Sequence, residues 1–225
     1  MLGKPICNIT PFTLLDYPHK SACILWYAGC NMRCLYCYNP EIVLGKGTIH
    51  FDEAISFLKT RIGLLDAVVF SGGECLMHKA IYDHIKEIKN LGFLVKIDTN
   101  GSKPLVLEQL IEEGLVDYVA LDYKATKEKF EYITQSALHI PFQKSLDLLL
   151  NSAVKFEVRT TLHSDLLNPE DINTMINSLE AKGYQGNYYI QCFRNQVQTL
   201  GNLPPSFKIK ETEIRSTSKI EVVYR

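Results

Sequence analysis

The stretch AGCNMRCLYCYNP, residues 28–40, places Cys30, Cys34 and Cys37 close together in the chain. An odd number of cysteines cannot pair fully in disulfides, and a structural zinc site normally takes four ligands. Three thiolates can instead hold three irons of a [4Fe–4S] cluster and leave the fourth iron open to a small molecule. The spacing therefore favours an open iron–sulfur cluster; the alternative is a zinc knuckle completed by a remote Cys or His.

Length and composition indicate what kind of protein carries this cysteine motif. A chain of 225 residues, 46% of them hydrophobic, is expected to form a single α/β domain. The 24 basic residues nearly cancel the 25 acidic ones, which disfavours nucleic-acid binding. The chain shows neither a signal peptide nor a membrane span, so we predict a cytoplasmic protein without a membrane partner. The cysteines outside the cluster motif are expected to be small buried hydrophobic residues: Cys7, Cys23, Cys75 and Cys192.

Apolar runs alternate with segments of helical period along most of the chain, which indicates a parallel sheet. A closed eight-unit barrel typically needs about 250 residues, so six strand–helix repeats predict an open or partial barrel. Asn168 and Pro169 mark the start of the clearest helix. Residues 125–140 look irregular, and KIEVVYR, residues 219–225, is one more possible strand. The six predicted strands are residues 22–29, 66–73, 93–101, 116–124, 155–163 and 187–194.

Glycines and charged side chains that could bind a ligand lie at the carboxyl ends of these predicted strands. SGGE, residues 71–74, offers two glycines for close backbone approach and a carboxylate for an ammonium group. Asp98 could accept from an ammonium, Lys124 could pair with a carboxylate, and Arg159 and Arg194 are further cations. Each of these features is commonplace alone. Their shared position at the carboxyl ends of parallel strands, where ligands gather in such folds, predicts one site.

The cysteine spacing C-x3-C-x2-C, with Tyr36 before the third cysteine, resembles the signature of the radical S-adenosylmethionine (SAM) superfamily, and SGGE resembles its GGE motif. The resemblance implies a [4Fe–4S] cluster on the three cysteines, whose open iron chelates SAM, and Cys75 is not assigned to that cluster. It also implies a set of residues that bind SAM: Tyr36, Gly72, Gly73, Glu74, Asp98, Asn100, Lys124 and Arg159.

The chain resembles the glycyl-radical-enzyme activases in the order of LLDYP, the cysteine motif, SGGE, VKIDTNGS, DYVALDYKA, FEVRTTLH and YYIQCFR. It is most similar to the longer form of the activating proteins of anaerobic ribonucleoside-triphosphate reductase. The resemblance implies a partial (βα)6 barrel with outer helices, forming a single radical SAM domain over residues 1–225. Its core would span about 20–195, with a tail at 196–225. It implies an oxidoreductase that installs a glycyl radical on a partner enzyme in an anaerobic setting, with flavodoxin or ferredoxin as electron donor.

Three alternatives stay open at this point. The partner could be a pyruvate formate-lyase-like enzyme, or the protein could be a small-molecule radical SAM enzyme similar to 7-carboxy-7-deazaguanine synthase. A zinc-stabilised binding module is the alternative from a different class. In LLDYPHK, residues 14–20, Asp16 could contact the glycine loop of a partner, although a turn formed by Asp-Tyr-Pro explains the same residues.

Overall fold

The structure, a computed structural model, describes residues 3–225, and within them eight strands form one sheet in the order β1 to β8. The edge strand β1 runs antiparallel to β2. The pairs β2–β3, β3–β4, β6–β7 and β7–β8 are parallel. The strands are β1 Ile6–Thr13, β2 Ala22–Tyr27, β3 Ala67–Gly72, β4 Leu94–Thr99, β5 Tyr118–Asp122, β6 Lys155–Leu162, β7 Gly186–Cys192 and β8 Ile220–Tyr224.

Helices connect the parallel strands, as the alternation of the sequence predicts. The start of α7 shows why its boundary is readable, because Asn168 and Asp171 each accept a hydrogen bond from the other's backbone N–H in a capping box. None of the helices within residues 3–225 is both long and apolar enough to cross a membrane. The helices are α1 Pro40–Leu44, α2 Phe51–Lys59, α3 Ile81–Asn90, α4 Pro104–Glu112, α5 Lys127–Thr134, α6 His139–Leu150 and α7 Pro169–Ala181.

The chain divides into two compact units. The first contains residues up to 31 together with 39–99 and 103–120, and its strands β2, β3 and β4 are almost completely buried. The second contains 32–38, 100–102 and 121–225, and its core is formed by apolar residues of β6, β7, α6 and α7. Residues 32–38, the second half of the cysteine motif, thus pack with the unit that follows them much later in the chain.

The six predicted parallel strands correspond to β2 through β7, and the possible strand in KIEVVYR is β8. The prediction for residues 125–140 is wrong, because α5 occupies Lys127–Thr134 and α6 begins at His139. Phe130 and Ile133 bury one narrow face of α5, while its other residues are largely charged or polar, so the apolar period is too short to stand out.

The connection between β1 and β2 contains Asp16. Because Thr13 pairs with Ala22, this connection lies at the amino end of β2, whereas Cys30 follows its carboxyl end. The Asp16 carboxylate accepts a hydrogen bond from Thr13 Oγ1 at 2.5 Å, and Lys20 N donates to the carbonyl of Tyr17. The turn interpretation of LLDYPHK therefore agrees with the structure, and a contact of Asp16 with the glycine loop of a partner stays a prediction.

Candidate active site

The cysteine motif follows β2 directly, and all seven cysteines of the chain are thiols outside any disulfide. Cys34 is buried, and Cys30 and Cys37 are partly exposed. The motif is held from one side by the carboxyl end of α5, where Arg33 N donates to Thr134 O at 2.8 Å and Leu35 N donates to Ile133 O at 2.9 Å. The carbonyls of a final helical turn have no partner inside the helix, and here the cysteine segment supplies the donors.

The two other deeply buried cysteines differ from the motif in their surroundings. Cys23 lies inside β2, where burial raises the pKa of its thiol to about 12. Cys75 donates weakly to the carbonyls of Phe70 and Asp98, and burial raises its pKa well above the ordinary value. Both are therefore poor sources of thiolate. The expectation of burial is wrong for Cys192, which is exposed, and Cys7 is only partly buried.

In the first unit, SGGE packs backbone against backbone on the segment that leads to Cys30. Gly73 N donates to Tyr27 O, and Glu74 N donates to Gly29 O, both at 2.9 Å. A Cβ atom on Gly73 would lie 1.9 Å from Gly29 O, and Gly72 has a φ of +114°. Only glycine fits at these two positions. Gly73 has no space for a side chain, and Gly72 has a backbone conformation that residues with side chains disfavour.

Two acidic side chains of the first unit lie at the ends of β3 and β4. The fully buried Glu74 carboxylate accepts from Thr99 Oγ1 at 2.8 Å and from Leu76 N at 3.2 Å. Asp98 accepts from Ser71 Oγ at 3.0 Å and forms an ion pair with Lys96 at 2.5 Å. Lys96 is itself almost fully buried, and its presence beside Asp98 was not predicted.

The second unit brings Lys124 and Arg159 together around Asp122. The Asp122 carboxylate accepts from Arg159 Nε at 2.5 Å and from Lys124 Nζ at 2.9 Å. Burial opposes the charge on Asp122, but the two cations outweigh it and lower the pKa of the carboxyl to about 2. For Lys124 burial likewise opposes the charge, and Asp122 together with Tyr36 and Cys34 holds its pKa well above the ordinary value.

Tyr36 lies against this ion-paired group. Lys124 Nζ is 5.7 Å from the centroid of its ring. The Tyr36 hydroxyl is buried and has no hydrogen-bond partner within residues 3–225. Buried hydroxyls without a partner are rare, because desolvation costs about 1–3 kcal/mol when no hydrogen bond replaces water. A polar ligand beside Cys34, Cys37 and Lys124 would supply that partner, so these residues fit a bound cofactor.

Two further predicted residues take separate positions. Asn100 is buried, and its side-chain oxygen accepts from Ser102 N at 2.9 Å, which shapes the turn after β4. Arg194 has an exposed side chain, and its backbone N–H donates to Tyr38 Oη at 2.6 Å. Within residues 3–225 no three His, Cys, Asp or Glu side chains converge on a point suited to one metal ion. A four-iron cluster has a different requirement, since each iron takes its own thiolate.

The sequence profile of the radical SAM superfamily matches residues 24–181, which is more than half of the chain. The chain belongs to the radical SAM superfamily. It is 32% identical over 232 residues to a protein of Methanocaldococcus jannaschii provisionally named a glycyl-radical enzyme activating enzyme, and this similarity covers 97% of the chain and 92% of the relative. The family predicted from the motifs is thereby confirmed, including its glycyl-radical-enzyme activating branch.

A further relative and a solved structure are also similar to the chain. The pyruvate formate-lyase-activating enzyme of Clostridium pasteurianum is 27% identical over 189 residues, which cover 80% of this chain and 77% of the relative. The chain also matches the solved structure of native anSMEcpe with bound AdoMet, with a TM-score of 0.61 and 19% identity. The match covers 76% of this chain and 50% of the chain in that structure. The second similarity shows the fold alone, and it confirms the predicted class of parallel strands with outer helices.

Membership in this superfamily makes the protein an enzyme whose cofactors are a [4Fe–4S] cluster and SAM. The alternative of a non-catalytic, zinc-stabilised module is therefore wrong. Reasoning from the sequence found Lys124 and Arg159 but missed Asp122, which neutralises part of their charge, and Lys96, which does the same for Asp98.

Proposed function

We propose that the protein is an activase that installs a glycyl radical on a partner enzyme, with anaerobic ribonucleoside-triphosphate reductase as the first candidate. The observation that carries the proposal is the similarity to the activating enzyme of M. jannaschii, which extends over nearly the whole of both chains. When bound, the reduced cluster and SAM supply a 5′-deoxyadenosyl radical that takes a hydrogen atom from glycine. The reducing electron would come from flavodoxin or ferredoxin.

In this proposal Cys30, Cys34 and Cys37 hold the cluster, each through one thiolate. The position of the motif after β2 supports it, as do the burial of Cys34 and its electrostatic interaction with Lys124. The high pKa values of Cys23 and Cys75 favour the thiol form at those two positions. The motif cysteines are therefore the ones we assign to iron.

The methionine end of SAM carries an ammonium and a carboxylate, and the residues predicted to bind SAM include groups of opposite charge for each of them. We assign the carboxylates of Glu74 and Asp98 to the ammonium; Glu74 also accepts from Thr99 Oγ1, and Asp98 is ion-paired with Lys96. We assign the Lys124 ammonium and the Arg159 guanidinium, both hydrogen-bonded to Asp122, to the carboxylate. Charge-assisted hydrogen bonds of this kind are about twice as strong as neutral ones.

The other predicted SAM contacts have supporting roles in the proposal. Gly72 and Gly73 let the backbone approach the ligand without a side chain in the way. The Tyr36 hydroxyl supplies a buried hydrogen-bonding group, and Asn100 shapes the turn after β4. These residues would orient SAM and keep water from it.

A pyruvate formate-lyase-like enzyme is the second candidate partner. The specific observation in its favour is the 27% identity to the pyruvate formate-lyase-activating enzyme of C. pasteurianum over most of both chains. The same radical chemistry would serve either partner, so the choice depends on the protein surface that presents the glycine.

The deciding experiment mixes the anaerobically reconstituted, reduced protein and SAM with each candidate enzyme. We expect 5′-deoxyadenosine and methionine in equal amounts, and a doublet glycyl-radical signal in electron paramagnetic resonance with one partner only. A partner whose candidate glycine is replaced by alanine serves as the control and should give no doublet. Cleavage of SAM without a radical on either partner, together with turnover of a small heterocycle, would contradict the activase proposal.

A further inference from the structure

The segment between β7 and β8 contains a stretch, residues 193–207, that we call the β7–β8 strap. Within it, Asn202 N donates to Thr199 O at 3.0 Å and closes a tight turn. The two central residues of such a turn do not use their N–H groups for the turn itself. Here those residues are Leu200 and Gly201, so two backbone donors become available next to each other.

Both donors bind the backbone of the cysteine motif. Leu200 N donates to Cys37 O at 3.0 Å, and Gly201 N donates to Leu35 O at 2.9 Å. On the other side of the cysteine motif, Leu35 N donates to Ile133 O at the end of α5. The segment that carries Cys34 and Cys37 is thus hydrogen-bonded on both edges, once by a helix end and once by the strap.

Gly201 is the position where this contact is closest. A Cβ atom there would lie 2.7 Å from Leu35 O and 2.8 Å from Leu35 Cα, both of them backbone atoms. Gly201 is not among the residues with positive φ, so the requirement for glycine is one of space and not of backbone conformation. Any side chain would have to push the turn away from the residue between the second and third cysteines.

The strap is fixed at both of its ends. At the start, Arg194 N donates to Tyr38 Oη at 2.6 Å, and the rings of Phe193 and Tyr38 lie 5.3 Å apart. At the far end, the buried His163 donates through Nε2 to Pro204 O at 2.9 Å. A carbonyl only accepts, so this bond requires a proton on Nε2. The strap is therefore joined to the cysteine motif at Tyr38 and to the residue after β6 at His163, with the turn at Leu200 between these two contacts.

We propose that the β7–β8 strap is a positioning element of the cluster site and that Gly201 is its positioning residue, which fixes the backbone at Leu35 and Cys37. The proposal rests on the proposed role of Cys30, Cys34 and Cys37 in holding iron. A backbone that is fixed on both edges sets the directions of the Cys34 and Cys37 side chains before the metal binds. Residues that orient metal ligands in this way typically contribute about 10–100-fold in metal affinity.

Coupling between two sites is reciprocal, which gives the proposal a second consequence. If the strap favours the cysteine geometry that binds the cluster, then cluster binding must in turn stabilise the strap. The amides of Leu200 and Gly201 should then exchange more slowly with solvent in the reconstituted protein than in the apo-protein. A strap with a merely structural role would show no such change.

The test compares wild type, Gly201→Ala and Gly3→Ala, which adds the same methyl group at a glycine with no neighbouring atom within 4 Å. Each protein is reconstituted anaerobically with ferrous iron and sulfide, and its iron content is followed during challenge with an iron chelator. We expect Gly3→Ala to match wild type and Gly201→Ala to hold iron about 10–100-fold more weakly, with an altered cluster signal in electron paramagnetic resonance. Hydrogen–deuterium exchange of wild type with and without the cluster reports on the strap directly.

The outcomes separate the two proposals. A wild-type protein that binds no iron contradicts the role of the cysteines. A wild-type protein that binds iron, with equal retention in Gly201→Ala and unchanged exchange in the strap, contradicts the role of the strap. If Gly201→Ala does not fold, Tyr38→Phe replaces it, because this change removes only the hydroxyl that accepts from Arg194 N. It should weaken iron retention to a smaller extent, and wild-type retention in that variant would count against the strap.

Discussion

At the scale of single residues, two charged residues predicted for SAM binding, Lys124 and Asp98, are each paired with an opposite charge two positions away. Lys124 pairs with Asp122, and Lys96 pairs with Asp98. Side chains two residues apart lie on the same face of an extended chain, so this spacing was a usable signal. It went unused because each lysine and aspartate is unremarkable alone, and because burial, which turns the pairs into a charge balance, is absent from the sequence.

The Lys124→Ala substitution tests this balance. It removes one of the two cations around Asp122, and with it a charged hydrogen-bond donor that we assign to the SAM carboxylate. We expect SAM affinity to fall about 10–100-fold, as for the loss of a hydrogen bond to a charged group, while iron content stays at the wild-type value. Equilibrium binding of SAM to the reconstituted protein measures the change.

Lys182→Ala is the matched control for this experiment. Lys182 also pairs with an aspartate, Asp147, but the pair is more exposed to solvent. Exposed ion pairs contribute little, so SAM affinity should remain as in wild type. Equal affinities in Lys124→Ala and wild type would remove Lys124 from the SAM site.

The cysteines allow an equally direct test. We expect Cys30→Ala, Cys34→Ala and Cys37→Ala each to abolish the visible absorption of the cluster, because each removes the only thiolate proposed for one iron. Cys75→Ala and Cys192→Ala are the controls, one buried and one exposed, and both should retain full iron content. Loss of the cluster in Cys75→Ala would indicate a four-ligand site and overturn the open-iron argument.

At the scale of elements, the strands and the long helices could be predicted because their signals are local. The boundary of α7 is marked by Asn168 and Pro169, and the parallel strands are continuous apolar runs. The elements that were missed lack such signals. Strand β1 contains Pro11 and buries little, α1 has only five residues, and α5 buries a narrow face.

The position of the polar side chains at the ends of the strands could be predicted for a different reason. A parallel sheet has the carboxyl ends of its strands on one side, whatever the details of packing. The contacts of the cysteine motif could not be predicted. They join Leu35 to α5 and to the β7–β8 strap through backbone atoms, which carry no sequence signal. Only Gly201 hints at the contact, and one glycine in a loop is too common to interpret.

The contact between SGGE and the end of β2 gives a prediction at this scale. In Gly73→Ala the new Cβ would lie 1.9 Å from Gly29 O, so the two backbones must separate next to Cys30. We expect the free energy of unfolding of the apo-protein to fall by about 1–3 kcal/mol, as for other overpacked positions, and iron retention to fall with it. Denaturant unfolding measures the first effect, with Gly3→Ala as the control. Wild-type stability in Gly73→Ala would mean that this approach is looser than the structure shows.

At the scale of the whole molecule, cofactor binding and folding are linked. A ligand that binds only the folded protein stabilises it in proportion to the logarithm of its concentration relative to its dissociation constant. One group of the proposed site carries a cost in the apo-protein, namely the buried hydroxyl of Tyr36, which has no hydrogen-bond partner within residues 3–225. Stability is therefore expected to rise in two steps, once with the cluster and once with SAM.

The two steps can be separated with two variants. At a SAM concentration 100-fold above its dissociation constant, the reconstituted wild type should gain about 2.7 kcal/mol in the free energy of unfolding. Lys124→Ala should keep the gain from the cluster, and its roughly 10–100-fold weaker affinity should reduce the gain from SAM at the same concentration to about 0.4–1.4 kcal/mol. Cys34→Ala should lose both, because SAM needs the open iron as well as the charged side chains. Anaerobic denaturant unfolding, with and without SAM, measures each gain. A full response to SAM in Cys34→Ala would show that SAM binds without the cluster and would contradict the open-iron site.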